Sequence, residues 1–125
     1  MGKLIYQNLS KFYNAQKSYK SEVCLTYSKN LLEIIKILRS EGYIRGFIFN
    51  SSEIIVFLKY FNNRSPFKTI CLVSKPSRRI FYSYNDLMKK KKTDGIFILN
   101  TSFGILSSKL AIKKNIGGEV IFFIN

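Results

Sequence analysis

The chain has no histidine, which excludes imidazole catalysis and zinc held by imidazole nitrogens. It has two cysteines, Cys24 and Cys71, in no metal or redox spacing. Both sit in apolar runs and read as two buried, reduced thiols. Acidic side chains number only seven, against 21 basic ones, and they are scattered. A nuclease or similar enzyme needs clustered carboxylates for metal or general acid–base work, so that class ranks lowest. No apolar run approaches the roughly 20 residues of a membrane span. The N-terminus lacks the pattern of a secretory signal or of a long Arg- and Ser-rich transit peptide. An amphipathic helix pattern begins almost at Met1, which predicts no cleaved leader. Alanine is nearly absent, occurring only at Ala15 and Ala111.

What is present is positive charge on a chain able to fold. The 125 residues are 46% hydrophobic, enough for a real core in one compact domain or two small ones. The net charge is +14, and an excess of that size implies an anionic partner: nucleic acid, an anionic membrane surface or an acidic protein. Residues 1–62 carry nine basic and four acidic side chains, and residues 63–125 carry twelve and three. The C-terminal half is therefore the stronger electrostatic footprint. Lys, Ile, Phe, Asn and Tyr make up about half the chain, far above ordinary usage. These residues have A/T-rich codons, so the bias points to an A/T-rich genome, organellar or bacterial.

The spacing of Ile5, Leu9, Phe12 and Tyr13 predicts a helix from Leu4 to about Ala15. Residues 22–27 alternate as a short strand. Ser28 is an N-cap for a helix carrying Leu31, Ile34, Ile35 and Leu38, stopped at Gly42. Residues 44–49 and 53–60 form a hairpin about Asn50-Ser51-Ser52. The polar loop 62–66 divides two subdomains, 1–64 and 65–125. Strand-like runs follow at 69–74 and 80–84, flanking the basic turn 75–79. Asn85 caps a short helical turn, Lys89 to Lys92 form an exposed basic run, and 95–100 is a buried strand. Ser107 or Ser108 starts a last short helix, and 120–124 closes the chain. Helices, strands and hairpins without regular βαβ units predict an α+β fold of two small packed subdomains.

Several segments resemble one family. Asn100-Thr101-Ser102-Phe103-Gly104-Ile105-Leu106-Ser107 is similar to the Ser-Thr-x-x-Gly-Val-[Leu/Met]-Thr signature of the bacterial-type small-subunit ribosomal protein eight family. Ile116-Gly117-Gly118-Glu119-Val120 resembles its Val-Gly-Gly-Glu closing hairpin. Ser74 to Phe81 resembles its Ser-[Lys/Arg]-Pro-Gly-x-Arg-[Ile/Val]-Tyr segment, and Ser28 to Ile44 and Leu9 to Ala15 resemble two of its helices. The five segments run in family order from about Ile5 to the end. The resemblance implies a structural constituent of the small ribosomal subunit that binds and stabilises the central domain of small-subunit rRNA. It also implies neighbouring ribosomal proteins as partners, no enzymatic activity, no cofactor, no metal, no membrane and no small-molecule substrate.

The candidate rRNA-binding residues follow. Asn100, Thr101, Ser102 and Gly104 form a tight turn able to meet phosphates, sugars and base edges. Asn100 stands where the family has Ser, and Phe103 where a polar residue is usual; Phe103 offers a stacking ring. Gly117 and Gly118 permit a positive-φ corner against RNA, with a plain turn as the even alternative. Glu119 either accepts from base or sugar donors or fixes the neighbouring loop by accepting from Thr101 and Ser102; repulsion between a carboxylate and phosphates favours the organising role. Lys75, Arg78 and Arg79 flank a Pro-ordered turn as phosphate contacts. Phe81, where the family has Tyr, either stacks on a base or packs in the core. Lys11 and Asn14 touch another rRNA segment or simply line a solvated helix face. The last helix keeps a cap hydroxyl but lacks the Glu of a capping box, which predicts a start weaker by about 1 kcal/mol or less. The alternative function is a generic polyanion or membrane-surface binder, which would need a cationic amphipathic helix with a strongly apolar face. The expected location is a mitochondrial ribosome, with a plastid or an A/T-rich bacterium as alternatives.

Overall fold

A computed structural model describes residues 3–74, 77–91 and 95–125. The chain is an α+β protein that divides between Lys68 and Thr69 into two units.

The first unit runs α1 (Lys3–Lys17), β1 (Glu22–Thr26), α2 (Lys29–Ser40), β2 (Ile44–Phe49) and β3 (Glu53–Leu58). The Ser28 hydroxyl caps α2 by accepting from Leu31 N. At the other end Gly42, at φ +84°, lets its own N–H reach Arg39 O while Tyr43 N–H reaches Leu38 O. That pair of bonds satisfies the last helical carbonyls. The three strands form an antiparallel sheet in the order β1-β3-β2. Asn8, almost fully buried on α1, donates from its side chain to Thr26 O and accepts from Thr26 N, both at 3.2 Å. It thus supplies the end of edge strand β1 with the partners that a further strand would give. Val23, Leu25, Ile54 and Val56 point inward to join Leu9, Phe12, Leu31, Ile34, Ile35 and Leu38. Phe67 is also buried here, its ring 5.6 Å from that of Phe12.

The second unit runs β4 (Ile70–Leu72), β5 (Phe81–Tyr82), α3 (Tyr84–Lys89), β6 (Ile96–Thr101), β7 (Gly104–Ser107), α4 (Ser108–Lys113) and β8 (Gly118–Ile124). Its five-stranded sheet has the order β4-β8-β6-β7, and β5 also pairs with β8. On one side Leu99 and Val120 pack with Leu87 of α3 and Ala111 of α4, flanked by Val73, Tyr82, Phe97, Ile112 and Ile116. Strand β7 was not foreseen from the sequence, where four residues between a turn and a helix cap carry little periodic signal.

Two expectations about these elements need correction. Neither cysteine is buried. Cys24 alternates outward on β1 between Val23 and Leu25, and Cys71 faces outward on β4. An apolar run on an edge strand still exposes every second side chain. The Cys24 thiol donates to the Glu53 carboxylate, which pushes its pKa up. Next, Ser83 rather than Asn85 caps α3: its hydroxyl accepts from Asp86 N, and Asp86 accepts from Ser83 N at 3.0 Å. These bonds lower the Asp86 pKa. Helix α4 starts as expected, with Ser107 accepting from Leu110 N at 3.3 Å and Leu110 unable to return a bond.

Candidate nucleic-acid interface

Strand β8 places Glu119 between Asn100 of β6 and Phe81 of β5, its cross-strand partners on either side. Directly paired residues share a face, so Asn100, Glu119 and Phe81 form one row across three strands. Glu119 is 7% exposed, whereas the Phe81 ring is 66% exposed. Packing in the core is therefore excluded for Phe81, which presents its ring outward. Arg79 Nε lies 3.7 Å from Glu119 Oε2. The ion pair offsets the carboxylate charge that would otherwise repel a phosphate, while the Arg79 side chain stays 57% exposed.

Glu119 does not organise the 100–104 turn, contrary to expectation. Thr101 follows Asn100 on the strand and so projects to the opposite face from Glu119. The turn closes on itself: Thr101 Oγ1 donates to Gly104 O at 2.8 Å and accepts from Phe103 N at 3.1 Å. Ser102 and Phe103 are left at the tip of the β6–β7 hairpin, both exposed. Gly104 is at φ +100°, with no atom within 4 Å of a Cβ built there, so the turn needs its backbone conformation rather than its small size. Lys114 Nζ lies 5.4 Å from the centroid of the Phe103 ring, within cation–π range.

Gly117 and Gly118 do not form a positive-φ corner; among the described residues the glycines with positive φ are Gly42, Gly95 and Gly104. They are required by close backbone approach. A Cβ on Gly117 would lie 2.2 Å from Tyr82 O, and one on Gly118 2.5 Å from Asn100 O. The two glycines let β8 wedge between β5 and β6, which is what brings Phe81, Glu119 and Asn100 into line.

The basic loop is anchored at both ends by one buried side chain. Ser74 Oγ accepts from Ile80 N at 2.9 Å and donates to Ile80 O at 3.2 Å. Ile80 O also accepts from Val120 N of β8. Arg78 and Arg79 are exposed on this loop, while Lys75 lies outside the described residues, as does Lys92 of the basic run. Lys89, Lys90 and Lys91 are exposed at the end of α3, and Lys90 Nζ lies 5.2 Å from the Tyr82 ring centroid. Lys11 and Asn14 are exposed on α1 of the first unit, where they line a groove with Lys20 and Glu22. Of the candidates, then, Asn100, Thr101, Ser102, Gly104, Gly117, Gly118, Glu119, Arg79 and Phe81 meet at one end of the second sheet. Sequence reasoning missed Lys114 and the anchoring role of Ser74. Ser74 opens the basic segment, and a serine followed by a turn is a signal for such a clamp.

Residues 4–125 match the family model described as ribosomal protein S8. The chain belongs to the ribosomal protein S8 family. A relative from Bradyrhizobium sp. (strain ORS 278), a small ribosomal subunit protein uS8, is 37% identical over 121 residues, covering 93% of this chain and 92% of its own. The uS8 proteins of Kosmotoga olearia and of Buchnera aphidicola subsp. Schizaphis graminum are each 39% identical, over 124 and 119 residues, with the same coverage. The S8 signature segments are the ones that build the row and its flanking turn. Among the described residues no group of three or more His, Cys, Asp or Glu could hold a metal ion. Among the described residues, likewise, no helix is long and apolar enough to cross a membrane.

Proposed function

We infer that this S8-family chain is a structural, non-enzymatic constituent of the small ribosomal subunit that binds small-subunit rRNA and adjoins other ribosomal proteins. The observation that carries the reading is the row Asn100–Glu119–Phe81 beside the Ser102–Phe103 tip, bordered by Arg78, Arg79 and Lys114. Exposed rings offer stacking platforms for unstacked bases. The short polar side chains of Asn100 and Ser102, with no protein partner among the described residues, are suited to sugar and base edges. Thr101 and Gly104 act by holding the turn, and Gly117, Gly118 and Glu119 by aligning the row. The surrounding cations neutralise phosphates. Lys75 belongs with them by its place in the sequence, between Ser74 and Arg78, and Lys11 and Asn14 are assigned to a separate rRNA segment. By binding one folded arrangement of the central domain in preference to others, the protein stabilises it.

A fragment of the cognate central domain should bind tightly at physiological salt and outcompete a scrambled RNA of the same length. The variant Asn100→Ala/Ser102→Ala should lose roughly tenfold to a hundredfold in affinity, with little change in salt slope, because it removes polar contacts and no charge. Equal binding of both RNAs, indifferent to the variant and lost with salt, would leave only a generic polyanion binder.

The location proposed is the mitochondrial ribosome. Support comes from the Lys, Ile, Phe, Asn and Tyr bias and from the departures at Asn100, Phe103 and Phe81. Gradient sedimentation of lysed, purified mitochondria should place the chain with their small subunits. Its recovery from plastid subunits instead, or from a bacterial cell without organelles, would overturn the assignment.

A further inference from the structure

Lys114 caps the C-terminal end of α4, and its backbone is fixed there. Asn115 follows at φ +57°, a left-handed conformation that its short polar side chain tolerates. Asn115 N–H reaches Ile112 O and Ile116 N–H reaches Ala111 O, both at 3.1 Å. The two bonds close the helix end. Ala111, in turn, is packed without exposure among Leu87, Leu99 and Val120. The Lys114 backbone is thus tied to the core of the second unit, while its side chain is exposed.

The β6–β7 hairpin brings Phe103 to the same place. The bond from Phe103 N to Thr101 Oγ1 fixes the backbone at 103. It does not fix the ring, which packing leaves 66% exposed. The Lys114 ammonium stands over that ring, 5.4 Å from its centroid, where the negative π face attracts a cation. At such exposure the ring still has room for a second flat group. We propose that Lys114 is a positioning residue of the rRNA interface: it holds the Phe103 ring in one orientation, in which the ring receives one unpaired base. The inference rests on the RNA-binding reading above and gives Lys114 a role through Phe103 rather than through a phosphate. Orienting the ring before binding removes part of the cost of ordering it in the complex.

The test is a double-mutant cycle on binding of the central-domain RNA. Phe103→Ala should weaken binding about tenfold through loss of the stack. Lys114→Met should cost about threefold in the native background, and most of that loss should vanish in the Phe103→Ala background. Lys114→Arg should bind as the native chain does, since a guanidinium also sits over a ring. An equal loss from Lys114→Met in both backgrounds would make Lys114 an independent phosphate contact and overturn the proposal. The chain has no tryptophan, so Phe103→Trp adds a single indole reporter. Its emission should be quenched by the central-domain RNA and not by a blunt RNA duplex, which offers no unpaired base. Lys114→Met should reduce the quenching at saturation, and Lys114→Arg should restore it. Unchanged emission with the RNA bound, while affinity still depends on Asn100 and Ser102, would sink this inference alone. Equal binding of scrambled RNA would sink the main reading, and this one with it.

Discussion

Gly118→Ala should destabilise the protein by at least about 3 kcal/mol, a large part of the roughly 5–15 kcal/mol typical of a domain. The added methyl would lie 2.5 Å from Asn100 O and 2.9 Å from Thr101 Cγ2. The first of these is backbone of the neighbouring strand β6, which cannot move aside as a flexible side chain can. Gly117→Ala should do the same through Tyr82 O at 2.2 Å. Two other glycines calibrate the effect. Gly104→Ala meets nothing within 4 Å but must hold a φ near +100°, so it should cost about 1–2 kcal/mol. Gly46→Ala meets nothing and has no such constraint, so it should be close to neutral. Urea unfolding of the four variants reads the order directly. A Gly118→Ala protein as stable as Gly46→Ala would show that β8 does not approach β6 as closely as described.

Arg79→Glu should weaken binding of the central-domain RNA on the order of a hundredfold at physiological salt, more than removal of one phosphate contact would. The substitution takes away an exposed cation and sets a second carboxylate beside Glu119, whose own charge then lacks its partner at 3.7 Å. Arg79→Ala should fall between, at about tenfold, and should lower the slope of log affinity against log salt by about one. Glu119→Gln in the Arg79→Ala background should recover part of the loss, because it removes the carboxylate that Arg79 had offset. Filter binding across a salt series measures all three. If Arg79→Glu binds with unchanged affinity and slope, Arg79 is not at the RNA and its exposure beside Glu119 has another purpose.

Much of this was legible because local rules and tertiary structure agree. Helix α2 announced itself through Ser28, the apolar spacing from Leu31 to Leu38 and Gly42, and each plays its expected part. The signature segments brought the family into view without any fold. The departures share one cause: residue type alone does not fix which face a side chain takes or where its element begins. Ser83 and Asn85 are both good caps, and the choice between them depends on β5 ending at Tyr82. Cys24 stands among apolar neighbours, yet strand alternation turns it outward. Thr101 and Glu119 carry complementary groups, but register pairs Glu119 with Asn100 and sends Thr101 to the other face.

By itself the sequence determined the charge, the absence of imidazole chemistry, the main helices and strands and the family, since these reside in composition, in periods of 2 and 3.6 residues, and in short contiguous motifs. Only the tertiary structure decided what the motifs do. It showed that Gly117 and Gly118 serve backbone packing rather than a corner, that Phe81 and Phe103 face outward, and that Arg79 offsets Glu119. Each of these depends on which strands lie side by side and in what register, and that comes from long-range pairing which no local window of the chain contains.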